Sequence, residues 1–380
     1  MLIFDGHLDL AYNALAHERD PRLTVDQTRA READPPCEDG RGDCTTSLAE
    51  MRSAGVAVAV TTLLARCKPW VEPGRPAASR SSDWPTPAMA HAVARGQLAY
   101  YRELERQGEV RVIETRRDLA AHWAAWQAAD ADATGEARTG LPVGLILTME
   151  CADPIVEPTC LRDWHDSGLR TLMLTHFGMG RYAAGNPATD PPNGHDVDGP
   201  VTPRGVELLE AMALDRMPLD LTHLSDTSFW DALDRFGGRV YSSHANCRAL
   251  CDEQRQLSDD MIRAVAERGG VLGLATYFGM IRPGWREAYQ SRPIRHGVTM
   301  DHWADHVDHM AQVAGGIDHV AIGSDLDGGY GAEECPNGLN RHRDLHRLAE
   351  IMRDRGYGDA DVGRVFGGNW LDFYLKNLPG

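Results

Sequence analysis

The sequence predicts an α/β protein built as a (β/α)8, or TIM, barrel, and three observations carry that prediction. Eight short runs rich in Val, Ile, Leu and Thr recur along the 380 residues, nearly all apolar before a polar end. Parallel strands buried on both faces read this way. Longer amphipathic segments separate the runs. No Gly-rich dinucleotide fingerprint follows any of them, which disfavours the runner-up, a doubly wound open sheet.

The expected strands are 2–10 (LIFDGHLDL), 56–65 (VAVAVTTLLA), 141–151 (LPVGLILTMEC) and 169–177 (LRTLMLTHF). They continue with 217–224 (MPLDLTHL), 239–246 (RVYSSHAN), 270–278 (GVLGLATYF) and 319–328 (HVAIGSDLDG). In the first, Asp5, His7 and Asp9 fall at every second position, so in a strand they would share a face. A buried acidic face is costly unless something positive sits against it, and a metal ion is the obvious candidate. Helices are expected over 86–104, 202–214, 258–269 and 299–315, each opening at or near a Ser, Thr or Pro start signal. Segments 340–355 and 359–377 add helices beyond the eighth strand. Stretches 18–47, 66–87 and 178–203 escape the alternation and read as long surface loops, the last leaving the fourth strand on the side where barrel sites lie. With no internal repeat and no linker, residues 1–380 read as one barrel domain.

A formal net charge of −17 argues against a nucleic-acid partner, whose binding needs clustered Lys and Arg. No run approaches the ~20 apolar residues of a membrane span. No basic leader precedes the first run, and the end FYLKNLPG matches no lipidation signal. A cytoplasmic protein without a membrane partner is the expectation. The eight cysteines include no C-x-x-C pair. Cys37 and Cys44 share a polar loop and could bridge, but reduced, mostly buried thiols are expected.

Polar residues concentrate at the carboxyl ends of the runs, where barrel enzymes build their sites. They are His7 and Asp9, Glu150, His176, His223, His244, Tyr277, and Asp325 with Asp327. Each alone has an ordinary structural explanation: Glu150 as a helix cap, His176 and His244 as core histidines, Asp325 as a turn residue before Gly328. Their shared rim is what those explanations leave out. Imidazoles with two or three carboxylates suit Zn²⁺, Mn²⁺ or Co²⁺, and no thiolate cluster points to a closed structural zinc site. Glu150 lies between the two halves of the set and could bridge two metals roughly 3.5 Å apart, a pair able to generate hydroxide and polarise a carbonyl. Asp325 would take the proton of the attacking water and deliver it to the leaving amine. The pattern is that of a binuclear metallohydrolase.

The stretches DGHLDL, LTMEC, LMLTHFG, LDLTHLS, SSHANCRAL, AIGSDLDG and GGNWLDF, in this order, resemble the renal (membrane) dipeptidase family, the M19 peptidases among the amidohydrolase-like barrels. The resemblance implies that His7, Asp9 and Glu150 hold one metal and that Glu150, His223 and His244 hold a second, both zinc. It makes Asp325 the general acid/base, beside the first metal, and His176 the group that polarises the scissile carbonyl. It gives Arg255 the substrate's free carboxylate, a task suited to a guanidinium fork, and Tyr277 a substrate contact. In isolation Arg255 reads equally as a solvated loop arginine in CDEQRQL. The departures, Leu8 between His and Asp, Cys151-Ala152 after the glutamate and GSDLDG at the eighth strand, remove no ligand. The implied function is a zinc dipeptidase acting on L-Xaa-L-Xaa or L-Xaa-D-Xaa, and the implied assembly is a homo-oligomer, a dimer. Two other readings stay open at this point: hydrolysis of N-acyl amino acids or lactones, and a catalytically silent barrel.

Overall fold

A computed structural model describes the chain except for residues 33–41, 69–81, 132–135, 188–193, 285–287, 289–293 and 295. Strand β1 (Ile3–Leu8) pairs in parallel with β2 (Val56–Leu63). The ladder continues through β3 (Val143–Met149), β4 (Leu169–Met173), β5 (Leu219–Asp220) and β6 (Val240–Tyr241). A parallel bridge from Ser242 to Leu272 joins β6 to β7 (Leu272–Leu274), which pairs with β8 (Val320–Ile322). The circle meets itself where the Asp325 N–H donates to the His7 carbonyl at 3.2 Å. The fold is therefore the α/β barrel that the alternation of runs predicts. Every residue of β1, β2 and β3 is buried, which is why β2 and β3 carry mostly apolar or β-branched side chains on both faces.

The helices begin where the start signals lie. Thr86 caps Pro87–Arg106, Thr202 caps Pro203–Leu214 and Ser258 caps Asp259–Glu267, each hydroxyl accepting an N–H three residues on. Met300–Ala314 ends at Gly315, whose φ of 79° is the left-handed conformation glycine adopts without strain. Beyond β8, helices His346–Asp354 and Asn369–Asn377 fall where extra helices are expected. The last one backs the seam between β8 and β1. Its Trp370 is fully buried and donates its indole N–H to the Ile322 carbonyl at 2.8 Å. The indole lies so close to β1 that a Cβ on Gly6 would sit 2.7 Å from it, so only glycine fits there.

Four expectations change. The later strands are short: β5 and β6 span two residues each, because the chain leaves the ladder early to form the loops that carry the site. A strand absent from the sequence reading, Val110–Val112, pairs in parallel with β3. The alternation of Asp5, His7 and Asp9 does not hold, because the β1 register shifts between Asp5 and Leu8. Asp5 instead accepts the Ser324 N–H at 2.8 Å and faces His342 Nε2 at 3.0 Å, a buried anchor between β1 and the later loops. Stretch 18–47 contains a helix, Val25–Glu32. Cys37 lies outside the described residues, and each of the described cysteines is free. Among the described residues, no helix is long and apolar enough to cross a membrane.

Candidate active site

The barrel brings the rim residues together from separate strands. His7 ends β1, and Asp9 stands at the start of the short helix Leu10–Ala16, where its carboxylate accepts the Thr62 hydroxyl. Glu150 follows β3 and donates its N–H to the Leu63 carbonyl at 3.1 Å, which ties it to the end of β2. His176, His223 and His244 follow β4, β5 and β6. His223 and Asp325 have φ of 68° and 58°, a left-handed conformation that costs a non-glycine residue about 1–3 kcal/mol. The surroundings hold both in place. Asn186 donates its N–H to the His223 carbonyl at 2.8 Å, and Gly328 donates to the Asp325 carbonyl at 2.9 Å.

One carboxylate oxygen sits at the centre. Glu150 Oε1 is 3.1 Å from His223 Nε2 and 3.5 Å from Nε2 of His7, His176 and His244. His7 Nε2 also lies 3.9 Å from Asp9 Oδ1 and 3.8 Å from Asp325 Oδ1. Asp9, Glu150, His176, His223, His244 and Asp325 line a cavity of about 270 Å³, walled by Arg66, Arg255, Tyr277 and Tyr330 among others, and the fully buried His7 lies directly behind Glu150. Arg255 donates from Nη2 to the His244 carbonyl at 2.8 Å, while its buried Nη1 has no hydrogen-bond partner among the described residues. Of the residues singled out in the sequence, all nine that were given site roles, Tyr277 included, meet at this cavity or its floor. Asp327 does not. It turns away to accept the Thr45 N–H at 2.7 Å, holding the loop after β8 to the stretch after residue 41.

The electrostatics show a site short of positive charge. Burial works to lower the His7 imidazole, but Glu150, Asp9 and Asp325 outweigh it and hold the ring at about 10. Burial and then repulsion from Glu150 lift Asp9 to about 7. Burial also raises Asp325, with Asp9 and Glu150 adding to it against His7 and Arg255. Glu150 alone stays ionised: burial opposes this, but His7, His176 and the hydrogen bond from His223 hold it well below the carboxylate range. Burial, and then the Arg255 cation, push His223 down to about 3. Burial likewise lowers His244, with His7 adding to it. The His7 imidazolium thus stands among three carboxyl groups, of which Glu150 is held ionised.

The donor set fits divalent metal. His7 Nδ1 and Nε2, Glu150 Oε2 and His223 Nδ1 are buried without a hydrogen-bond partner among the described residues. Such groups are rare unless something else satisfies them. Ligand atoms of His7, Asp9 and Glu150 lie within 4.8 Å of one another, as do those of His7, His244 and Asp325 and those of Glu150, His176 and His223. Nitrogen and carboxylate oxygen donors suit Zn²⁺, Mn²⁺ or Co²⁺.

Thr62 and Arg66 are among the residues near the site that the sequence reading missed. Thr62 supports Asp9, and Arg66 lies 2.8 Å from His176 Nδ1 through its Nη1. Both sit at or just past the end of β2, so the strand-end rule that found the others would have found them.

The family model for membrane dipeptidases (peptidase family M19) matches residues 1–374. An uncharacterized dipeptidase of Schizosaccharomyces pombe is 32% identical over 219 residues, 57% of this chain and 48% of that protein. Dipeptidase 3 of Rattus norvegicus is 27% identical over 216 residues, 57% of this chain and 41% of its own length. The matched segment thus spans about half of these curated relatives or less. Among solved structures, the dipeptidase AC of family M19 is similar with a TM-score of 0.73 at 22% identity, covering 100% of this chain and 99% of its own. A metallo peptidase from Rhodobacter sphaeroides, liganded with a phosphinate mimic of the dipeptide L-Ala-D-Ala, gives 0.72 at 22% identity, with the same coverage. At these identities the structural likeness speaks for the fold, whereas the family model speaks for descent along nearly the whole sequence. The chain belongs to the membrane dipeptidase family, peptidase family M19.

Proposed function

We propose that this chain is a metal-dependent dipeptidase that cleaves the single amide of L-Xaa-L-Xaa or L-Xaa-D-Xaa substrates, with residues 1–380 acting as one barrel domain. The observation that carries the reading is the convergence of four imidazoles and three carboxylates on one cavity floor, beneath a guanidinium with a free donor. We assign His7, Asp9 and Glu150 to one zinc ion and Glu150, His223 and His244 to a second, with Asp325 beside the first. When bound, such a pair supplies Lewis acidity, polarising a carbonyl oxygen and acidifying water near neutral pH.

The chain's own residues do the rest. Arg255 Nη1 receives the substrate's free carboxylate and sets the amide at a fixed distance from the floor. His176, which lines the cavity, faces the scissile carbonyl oxygen and stabilises charge as it builds there. Asp325 takes a proton from the attacking water and returns it to the departing amine. Tyr277 forms part of the wall against which the substrate rests. The arrangement reaches its substrate as a cytoplasmic homodimer in this reading, which size-exclusion chromatography with light scattering checks for the dimer. The test of the activity is a mass-spectrometric screen of metal-replete protein against L,L- and L,D-dipeptides. Cleavage of members of either set supports the assignment, and inertness toward the whole panel overturns it.

A further inference from the structure

Three of the four site histidines could serve a metal through Nε2. His176 is different, and the difference lies in its other nitrogen. Arg66 Nη1 stands 2.8 Å from His176 Nδ1. A guanidinium has donors only, and it stays charged at any pH a protein survives. The Nδ1 of His176 must therefore be the acceptor, with a lone pair and no proton. In a neutral imidazole the proton then resides on Nε2, the atom 3.5 Å from Glu150 Oε1.

Arg66 is itself held in place. Its Nε lies 2.6 Å from Asp83 Oδ1, and the two residues face each other across a two-residue parallel pairing, Arg66–Cys67 with Asp83–Trp84. The Cys67 N–H donates to Asp153 Oδ2 at 2.7 Å, fixing this ladder to the loop after Glu150. The contrast with an ordinary ligand histidine is direct. Such a histidine offers Nε2 as a lone pair and donates its other N–H to an acceptor. His176 meets a donor there, so it cannot offer Nε2 to a cation as a neutral ring.

We propose that Arg66 is a positioning residue that fixes His176 as an Nε2–H donor, reserving it for the substrate oxygen and keeping it out of the metal's ligand set. Position alone would group Glu150, His176 and His223 as a ligand trio. The hydrogen-bond polarity imposed by Arg66 separates His176 from the other two. The kinetic part of this inference rests on the dipeptidase reading above, and the tautomer part does not.

The test has two arms. In zinc-loaded protein carrying ¹⁵N-histidine, with the His176 resonances assigned by their loss in His176→Ala, Nδ1 should report an unprotonated nitrogen and Nε2 a protonated one. Arg66→Met should abolish that preference. Arg66→Lys, another donor-only cation, should retain it at least in part. A protonated Nδ1 in the unaltered protein, or a zinc-coordinated Nε2, overturns the proposal whether or not any dipeptide is cleaved. In the kinetic arm, Arg66→Met should lower kcat by about 10–100-fold, the usual cost of removing a partner that orients a working imidazole, while KM and zinc content change little. In a His176→Ala background the same substitution should cost less than about 3-fold, because residues that act through one another are not additive. A full penalty in that background, or one that falls on KM, makes Arg66 a direct substrate contact and refutes the positioning role. Failure of the dipeptide panel would sink the activity assignment and leave the NMR result to decide this one.

Discussion

His7 Nε2 and Glu150 Oε1 stand 3.5 Å apart, although one ends the first barrel strand and the other follows the third. Neither side chain has a reason to be buried there on its own. Together they mark the space that a cation would fill.

The first prediction concerns that cation. Dialysis against a chelator should abolish dipeptide hydrolysis, and Zn²⁺ or Co²⁺ should restore it. Because Glu150 lies within 3.5 Å of all four imidazole Nε2 atoms, Glu150→Ala should lower metal content from about two equivalents per chain to near zero. His223→Ala should remove only about one. Elemental analysis of the purified variants checks both.

Asp325 is nearly buried and points at the same floor, 3.8 Å from His7 Nε2. Asp325→Asn keeps its shape and removes its ability to carry a proton. We expect kcat to fall by about 10²–10⁴-fold, the range for loss of a general acid/base, with the fold intact by circular dichroism.

Arg255 offers a second discriminating substitution. Arg255→Met should lower kcat/KM for dipeptides with a free carboxylate by about 10–100-fold, the value of a hydrogen bond to a charged group. Substrates in which that carboxylate is amidated should lose little. An equal loss on both classes would mean that Arg255 serves the fold through its bond to the His244 carbonyl.

A buried histidine away from the site gives a prediction about pH. His306 accepts the Cys247 N–H at Nδ1, 3.1 Å away, and donates from Nε2 to the Ile281 carbonyl at 2.9 Å. Burial pushes its pKa down to about 4. The unfolded chain, with an ordinary value near 6.5, therefore binds the proton more readily than the folded one. The stability this group contributes is complete above about pH 6.5 and is lost as pH falls toward 4. Between pH 7.5 and 5 the loss is about 2 kcal/mol, and it should be absent from the difference curve of His306→Gln. Urea denaturation at the two pH values measures it.

Much of this was legible in the sequence, for a physical reason. Strands buried on both faces leave continuous apolar runs, and a barrel places its chemistry where those runs end. His7, Glu150 and Asp325 are each readable that way. What escaped was structure too short to impose a period. Val110–Val112 and the pairing of Arg66–Cys67 with Asp83–Trp84 span three and two residues, and no periodicity can be read from so few. Asp5 misled for another reason. Alternation predicts a shared face only while the register holds, and in β1 it shifts. The polarity of His176 lies beyond any sequence pattern, because it depends on one nitrogen of Arg66 arriving from the loop after β2, two strands away in the ladder.

The most direct measurement is anomalous diffraction from crystals grown with zinc. Two peaks should flank Glu150, each about 2.0–2.2 Å from one of its oxygens, one also reached by His7 and Asp9 and the other by His223 and His244, with His176 uncoordinated. A single peak, or peaks beyond the reach of Glu150, would contradict the shared-carboxylate centre on which the proposed chemistry depends.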